Sequence, residues 1–160
     1  MSDAQVTPRH SGESFDDFLA SSTPQLRRAF VARYGPELGN EAFADATAWA
    51  WEHREQLEAM TNPVGYLFRV GQTSVRSQVR RRHRFALPVE ERATDLPAQV
   101  EPELHTALAK LSEDQRVAVL MVHAHGYSYA ETATTLDISI AAVRNHVHRG
   151  MQRLRHHLED

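Results

Sequence analysis

Residues 127–150, YSYAETATTLDISIAAVRNHVHRG, contain two short helical patterns separated by a tight break at Asp137. Ser128 with Glu131 three residues later forms a capping box, and Ser139 is a good N-cap for the second helix. Two short helices joined by a turn of a few residues are typical of a helix-turn-helix, whose second helix enters the major groove of DNA. The stretch therefore predicts an all-α DNA-binding motif.

The second of these helices has two chemically different sides. Apolar residues recur at spacings of three and four and are expected on the buried side: Ile140, Val143, Val147, Met151, Leu154 and Leu158. Small, amide and basic residues are expected on the opposite side: Ala141, Ala142, Arg144, Asn145, His148 and Arg149. No carboxylate occurs from Ile138 to Leu158. Because DNA phosphates repel carboxylates, this acid-free helix is suited to a polyanionic surface.

Residue chemistry suggests separate roles along this surface, which begins at Ser139. Ala141 and Ala142 are small enough to let the start of the helix sink into a groove. Arg144 and Asn145 are expected at base edges, since arginine pairs bidentately with guanine and asparagine with adenine. Phosphate contacts are expected further along the helix, at Arg149 and Arg153. The alternative is a helical hairpin whose basic face is merely solvated.

Charge is segregated along the 160 residues, although the formal net charge is only −3. A second acid-free run extends from Val64 to Leu87 and contains Arg69, Arg76, Arg80, Arg81, Arg82 and Arg84. Between the two basic regions, PVEERATDLPAQVEPE at 88–103 combines five acids with three prolines, a composition that resists regular structure. With 41% hydrophobic residues, the chain can bury a core on either side of such a linker.

These patterns predict two small helical domains. We assign 1–14 to a disordered tail, 15–86 to the first domain, 87–102 to the acidic linker and 103–160 to the second domain. In the first domain, the first helix is expected to restart at Pro24 and to end at Gly35, Pro36 and Gly39. Asn40 is expected to cap the next helix. Asn62 is expected to cap a third helix that begins at Pro63. Its buried stripe is expected to be Val64, Leu67, Phe68, Gly71, Val75 and Val79.

Composition also limits the classes of site. The chain has no cysteine, which excludes disulfides and thiolate zinc sites and is consistent with a cytoplasmic protein. Histidines occur as close pairs, His123 with His125, His146 with His148, and His156 with His157. None of these pairs has the i, i+4 spacing of a zinc site on one helix, so we predict no metal and no cofactor. No apolar run approaches the ~20 residues of a membrane span.

Residues 111–158 resemble region 4 of the sigma-70 family, in particular its small extracytoplasmic-function members. The positions that fit the family pattern are Leu111, Gln115, Arg116, Gly126, Ser128, Tyr129, Glu131, Ala133, Val143, His148 and Arg149, with Arg144 in place of a usual lysine. The resemblance implies that this domain recognises the −35 promoter element, with Arg144, Asn145, His148 and Arg149 as contacts.

The first domain is similar to region 2 of the same family. Ala50-Trp51 and Asp45 fit its polymerase-binding helix, and residues 66–69 fit the start of the following helix, with departures at Gly71 and Gln72. The resemblance implies that Asp45 contacts core RNA polymerase. It also implies that the −10 element is contacted as the strands separate by Tyr66, Arg80, Arg81, Arg82 and Arg84. Taken alone, the residue types favour burial of Trp49, Trp51, Tyr66 and Phe68 in the core.

The resulting interpretation is a sigma factor that binds core RNA polymerase and directs promoter recognition, with no catalytic activity and no small-molecule substrate. An anti-sigma factor is a candidate partner. One alternative is a sigma-like DNA-binding regulator without productive polymerase binding. Another is an interaction module occupied by a protein partner. Polymerase binding distinguishes the first two interpretations, whereas DNA affinity bears on the third.

Overall fold

The computed structural model describes residues 14–85 and 101–159, with side chains described as far as Arg82 and again from Glu101. The predicted tail, apart from Ser14, and nearly all of the predicted linker lie outside this part of the chain. All regular elements in the described part are helices, which confirms the all-α prediction. They are α1 (Phe15–Glu52), α2 (Arg54–Glu58), α3 (Pro63–Phe85), α4 (Pro102–Ala109), α5 (Glu113–Val119), a π-helical turn (Leu120–Ala124), α6 (Tyr129–Leu136) and α7 (Ile140–Glu159).

Helix α1 contains one sharp kink, which lies at Gly35, one of the residues predicted to end the first helix. The helix runs through Pro24 without a restart and is interrupted only at Gly35, which has φ 82° and ψ 171°. Pro36 begins the second half, because a proline at the first helical position loses no intrahelical hydrogen bond. The prediction that Asn40 caps this helix is therefore wrong. Asn40 lies inside the helix, where its Nδ2 donates to the carbonyl of Pro36 at 2.6 Å.

Aromatic packing between α1 and α3 forms the core of the first part. The rings of Phe30 and Phe68 stack with centroids 4.9 Å apart, and both side chains are fully buried. Gly71 lies directly against Phe30, where a Cβ atom would come within 2.1 Å of the ring.

Asn62 caps α3 as predicted, with its Oδ1 accepting from the backbone N–H of Gly65 at 3.1 Å. Val79 is exposed, so the predicted buried stripe ends at Val75.

Two of the aromatic residues expected in the core lie at the surface. Trp51 is 50% exposed and Tyr66 is 39% exposed, whereas Phe68 is buried and Trp49 is partly buried. Trp51 packs edge-on against Phe15 with centroids 5.0 Å apart. Residue type alone overestimates their burial because a ring at the rim of a small bundle can pack on one side only.

The second part contains the predicted capped helices. Ser112 with Gln115 and Ser128 with Glu131 each form a complete capping box at the start of α5 and α6. Gly126 has φ 72°, the left-handed conformation expected of a residue that follows a helix. Helices α5 and α7 pack through Val119 and Leu154, and α6 contributes Ala133 beside Val143.

The two parts pack against each other through α1, α3, α5 and α6. Val117, Met121 and Leu136 belong to the same buried cluster as Phe30 and Phe68. This cluster is thus built from both sides of the predicted linker, and two smaller clusters lie within the second part. No helix in the described part of the chain is long and apolar enough to cross a membrane.

Candidate nucleic-acid interface

A short, hydrogen-bonded turn sets the angle between α6 and α7. Asp137 adopts the left-handed conformation, φ 54° and ψ 47°, and its backbone N–H donates to the carbonyl of Thr134 at 3.3 Å. The N–H of Ile138 donates to the carbonyl of Ala133 at 3.1 Å. Ser139 then caps α7, its hydroxyl accepting from the N–H of Ala142 at 3.0 Å. The two helices are joined by three residues, as in a helix-turn-helix.

The buried side of α7 is narrower than the predicted stripe. Val143, Val147 and Leu154 are buried and Met151 is partly buried. Ile140 and Leu158, at the two ends of the stripe, are exposed. The ends lie outside because α4, α5 and α6 cover only the turns between them. Gly150 is also buried, where a Cβ would come within 2.6 Å of a Val119 methyl group.

The opposite side of α7 carries the residues that the sequence assigns to DNA contact. Its exposed members are Ser139, Ala141, Arg144, Asn145, His148, Arg149 and Arg153, and Ala142 is partly exposed. Arg153 is held at one end, where it donates to Oε1 of Gln115 at 3.3 Å. Together these side chains form a continuous basic and amide surface with no acid on the helix before Glu159.

Arg144 has a neighbour on this surface that the sequence pattern does not predict. Its guanidinium carbon lies 6.0 Å from the centre of the Tyr129 ring, at the start of α6. Both residues belong to the stretch that predicts the motif, yet they are fifteen positions apart. Only the packing of α6 against α7 brings them together.

The second basic run lies on α3. Arg80, Arg81 and Arg82 are exposed, and Arg82 forms a long ion pair with Glu41 at 3.8 Å. Arg84 is part of α3, but its side chain lies outside the described residues. Tyr66 is at the other end of α3, more than three helical turns away, so it and the arginines occupy different regions of one helix.

Aromatic neighbours support Tyr66. Its ring centroid lies 5.1 Å from that of Trp49, which in turn stacks on His53 at 4.1 Å. An exposed ring supported from behind has one face available to a planar group such as an unpaired base.

Asp45, the predicted polymerase contact, is exposed on α1 and faces α3. Its Oδ2 accepts a hydrogen bond from the Ser74 hydroxyl and lies 3.5 Å from Nε2 of Gln78. The Asp45 carboxylate therefore links α1 to α3 and is also exposed to solvent.

The N-terminal part of α3 touches the helix-turn-helix beside its turn. Nε of Arg69 lies 2.6 Å from Oδ2 of Asp137, and Nδ2 of Asn62 donates to the carbonyl of Thr134 at 2.8 Å. The α3 contact is made at the turn, and the exposed side of α7 stays open.

A buried arginine joins α5 to α1 at the kink. Arg116 donates from Nε to the carbonyl of Ala32 at 3.2 Å and from Nη2 to the carbonyl of Arg33 at 2.7 Å. Burial lowers the pKa of the Arg116 guanidinium below its ordinary value. Sequence reasoning missed this contact, although one signal was available. Pro36 has no N–H to offer the carbonyl of Ala32, four residues earlier, which leaves that acceptor free for another donor.

Arg33 adds ion pairs at the same junction. It bonds to Asp114 and lies 3.5 Å from Glu113 at the start of α5. Burial acts to lower the pKa of Arg33, but the hydrogen bond to Asp114 and the charges of Tyr34, Asp114 and Glu113 together outweigh it and raise that pKa above the ordinary value. Across residues 14–85 and 101–159, no group of three histidine, aspartate or glutamate side chains comes together in a way that could hold a metal ion.

The chain is similar in sequence to a known protein family and to known proteins. Residues 102–154, which include α4 to α6 and most of α7, match the family described as Sigma-70, region 4. The ECF RNA polymerase sigma factor EcfG of Rhodopseudomonas palustris is 22% identical over 151 residues, covering 89% of this chain and 83% of that protein. The RNA polymerase sigma factor CarQ of Myxococcus xanthus is 26% identical over 157 residues, covering 89% and 88%.

A solved structure shares the fold over nearly the whole chain. The sigma factor RpoE, in a co-crystal structure with the anti-sigma factor NepR from Bartonella quintana, superposes with a TM-score of 0.61. The two chains are 24% identical, and the match covers 91% of this chain and 96% of that one. The chain therefore matches region 4 of the sigma-70 family over residues 102–154 and is similar along most of its length to RNA polymerase sigma factors.

Proposed function

We propose that this protein is a sigma factor, which binds core RNA polymerase and directs it to promoters for transcription initiation. The observation that carries the proposal is the exposed, acid-free face of α7. This helix is the second of a helix-turn-helix in which both α6 and α7 begin at a serine cap. Such a face is suited to the major groove, where arginine and asparagine distinguish base pairs. The relatives that align along most of their length are named sigma factors, so a DNA-binding regulator without polymerase binding is not favoured.

Within this function the two helical parts have different roles. The second part, residues 103–160, contacts the −35 element through the exposed side of α7. The first part, residues 15–86, contacts the −10 element through α3, with Tyr66 as a stacking surface for an unpaired base. Residues 87–102 connect them. The protein positions polymerase and catalyses no reaction itself, and we place it in the cytoplasm with its polymerase.

Asp45 is our candidate for a polymerase contact. It is an exposed carboxylate on α1, in the segment that is similar to the polymerase-binding helix of the family. An anti-sigma factor is a second protein partner that we propose, because the structural neighbour RpoE was solved with one.

The experiment that tests the function is co-elution of the purified chain with core RNA polymerase on size exclusion. We expect the wild-type chain to co-elute and Asp45→Arg to lose binding, because a cation replaces the anion at the contact. Asp45→Asn keeps an acceptor for Ser74 and controls for the loss of that hydrogen bond. Glu58→Arg introduces the same charge change on exposed α2 and should still co-elute. A folded wild-type chain that elutes apart from polymerase contradicts the proposal.

A further inference from the structure

The DNA-facing side of α7 is completed by a residue from α6. The Arg144 guanidinium carbon lies 6.0 Å from the centre of the Tyr129 ring, within the range in which a cation is attracted to an aromatic face. We propose that Tyr129 is a positioning residue, which holds Arg144 for its contact with a base and thereby sets sequence preference at that base pair. This inference rests on the proposed function, since it concerns how the same surface distinguishes promoters.

The place of Tyr129 on the backbone is fixed by the capping of α6. Tyr129 is the first residue of α6, between the two members of the Ser128–Glu131 capping box. The Ser128 N–H donates to Glu131 Oε2 at 2.7 Å, and the Glu131 N–H donates to Ser128 Oγ at 3.0 Å. The left-handed Asp137 and the cap at Ser139 then fix α7 against α6. Tyr129 is 38% exposed, so it lies at the surface where DNA would bind.

Arg144 needs such a neighbour because its side chain is long and its other surroundings are open. In the part of the chain that the structure describes, no carboxylate forms an ion pair with it. An arginine with many accessible rotamers loses conformational entropy when it binds a base. A guanidinium held over a ring keeps its N–H donors free at its edge, and these donors pair with O6 and N7 of guanine. The ring therefore restricts Arg144 without occupying its donors.

Selection from a DNA pool by the chain bound to core RNA polymerase tests the inference. The probe is a pool of duplex DNA with a randomised promoter-length block, and the bound sequences are counted for each variant. Arg144→Ala first identifies the position at which preference depends on Arg144. At that position we expect Tyr129→Leu to lower the preference about two- to five-fold, the size of an exposed cation–π contact. Tyr129→Phe keeps the ring and should keep the preference.

Four results overturn the inference. If Tyr129→Phe loses as much as Tyr129→Leu, the hydroxyl group contacts DNA and the ring does not position Arg144. If Tyr129→Leu weakens preference at all positions alike, the residue has a general role in binding. If Tyr129→Leu lowers preference at this position further in the Arg144→Ala background, the two residues act separately. A wild-type complex that selects no sequence removes the proposed function and this inference together.

Discussion

Arg116 donates to the carbonyl oxygen of Ala32 at 3.2 Å, and this acceptor is available because Pro36 cannot donate to it within α1. The side chain is only 7% exposed. One proline thus creates, at the kink of α1, an acceptor for an arginine from a part of the chain more than eighty residues later. The contact lies where α5 packs against α1 and joins the two parts of the protein.

Removing this arginine should weaken the contact between the two parts. Arg116→Met keeps most of the apolar stem but leaves the carbonyls of Ala32 and Arg33 without their donor. We expect a loss of about 3 kcal/mol in the free energy of unfolding, from two hydrogen bonds to a charged group. We also expect a larger radius of gyration by X-ray scattering. Arg155→Met removes an exposed arginine of α7 and should leave both values unchanged. Equal behaviour of the two variants would show that the junction does not depend on Arg116.

Arg144→Ala should relax sequence preference at one base pair of the −35 element. The expected loss of discrimination is about 1–3 kcal/mol, the contribution of a bidentate arginine–guanine pair. Binding constants of the polymerase-bound chain for matched and single-substituted promoters measure it. Equal losses on both kinds of DNA would remove Arg144 from base recognition.

Arg149→Ala should weaken binding to all sequences alike, because we assign this exposed side chain to a phosphate. The slope of log K against log salt concentration should fall by about one unit. Titrations of the polymerase-bound chain at several salt concentrations give that slope, with Arg144→Ala as the comparison. A selective loss on matched promoters would reassign Arg149 to a base edge.

Val143→Asp should unfold the helix-turn-helix. Val143 is fully buried beside Ala133 and Val147, and an unpaired charge at that position costs about 3–5 kcal/mol. Thermal unfolding followed by circular dichroism measures the loss. Ala141→Asp places the same side chain at an exposed position in the first turn of α7 and should be tolerated. A melting curve like that of the wild type for Val143→Asp would contradict the buried position of this side.

Gly71→Ala should destabilise the core between α1 and α3, although alanine is the better helix former. The new methyl group would overlap the Phe30 ring, which is fully buried and has little room to move. We expect a loss of about 1–3 kcal/mol, measured by urea unfolding. Phe30→Leu also costs stability, but Gly71→Ala should cost less in that background than in the wild type, since the smaller side chain makes room. Losses that simply add in the double variant would mean that the two residues do not compete for space.

Local signals accounted for most of the helix-turn-helix. Ser112, Ser128 and Ser139 cap the helices that their positions predict, since a cap depends only on side chains and N–H groups within one turn. The first half was less predictable. Asn40 has the chemistry of a cap, but Gly35 and Pro36 had already set the boundary, and Trp51 and Tyr66 have the composition of a core yet lie at its rim.

The sequence by itself determined that the chain is helical, where most helices begin, and that α7 is free of acid as far as Leu158, because these depend on residues within a few positions of each other. The tertiary structure decided which distant residues meet. It placed Arg116 on the carbonyl of Ala32, Arg69 on Asp137 and Tyr129 beside Arg144. Such pairs depend on how helices pack in three dimensions, and the spacing of residues along one helix carries no information about the helix that it will contact.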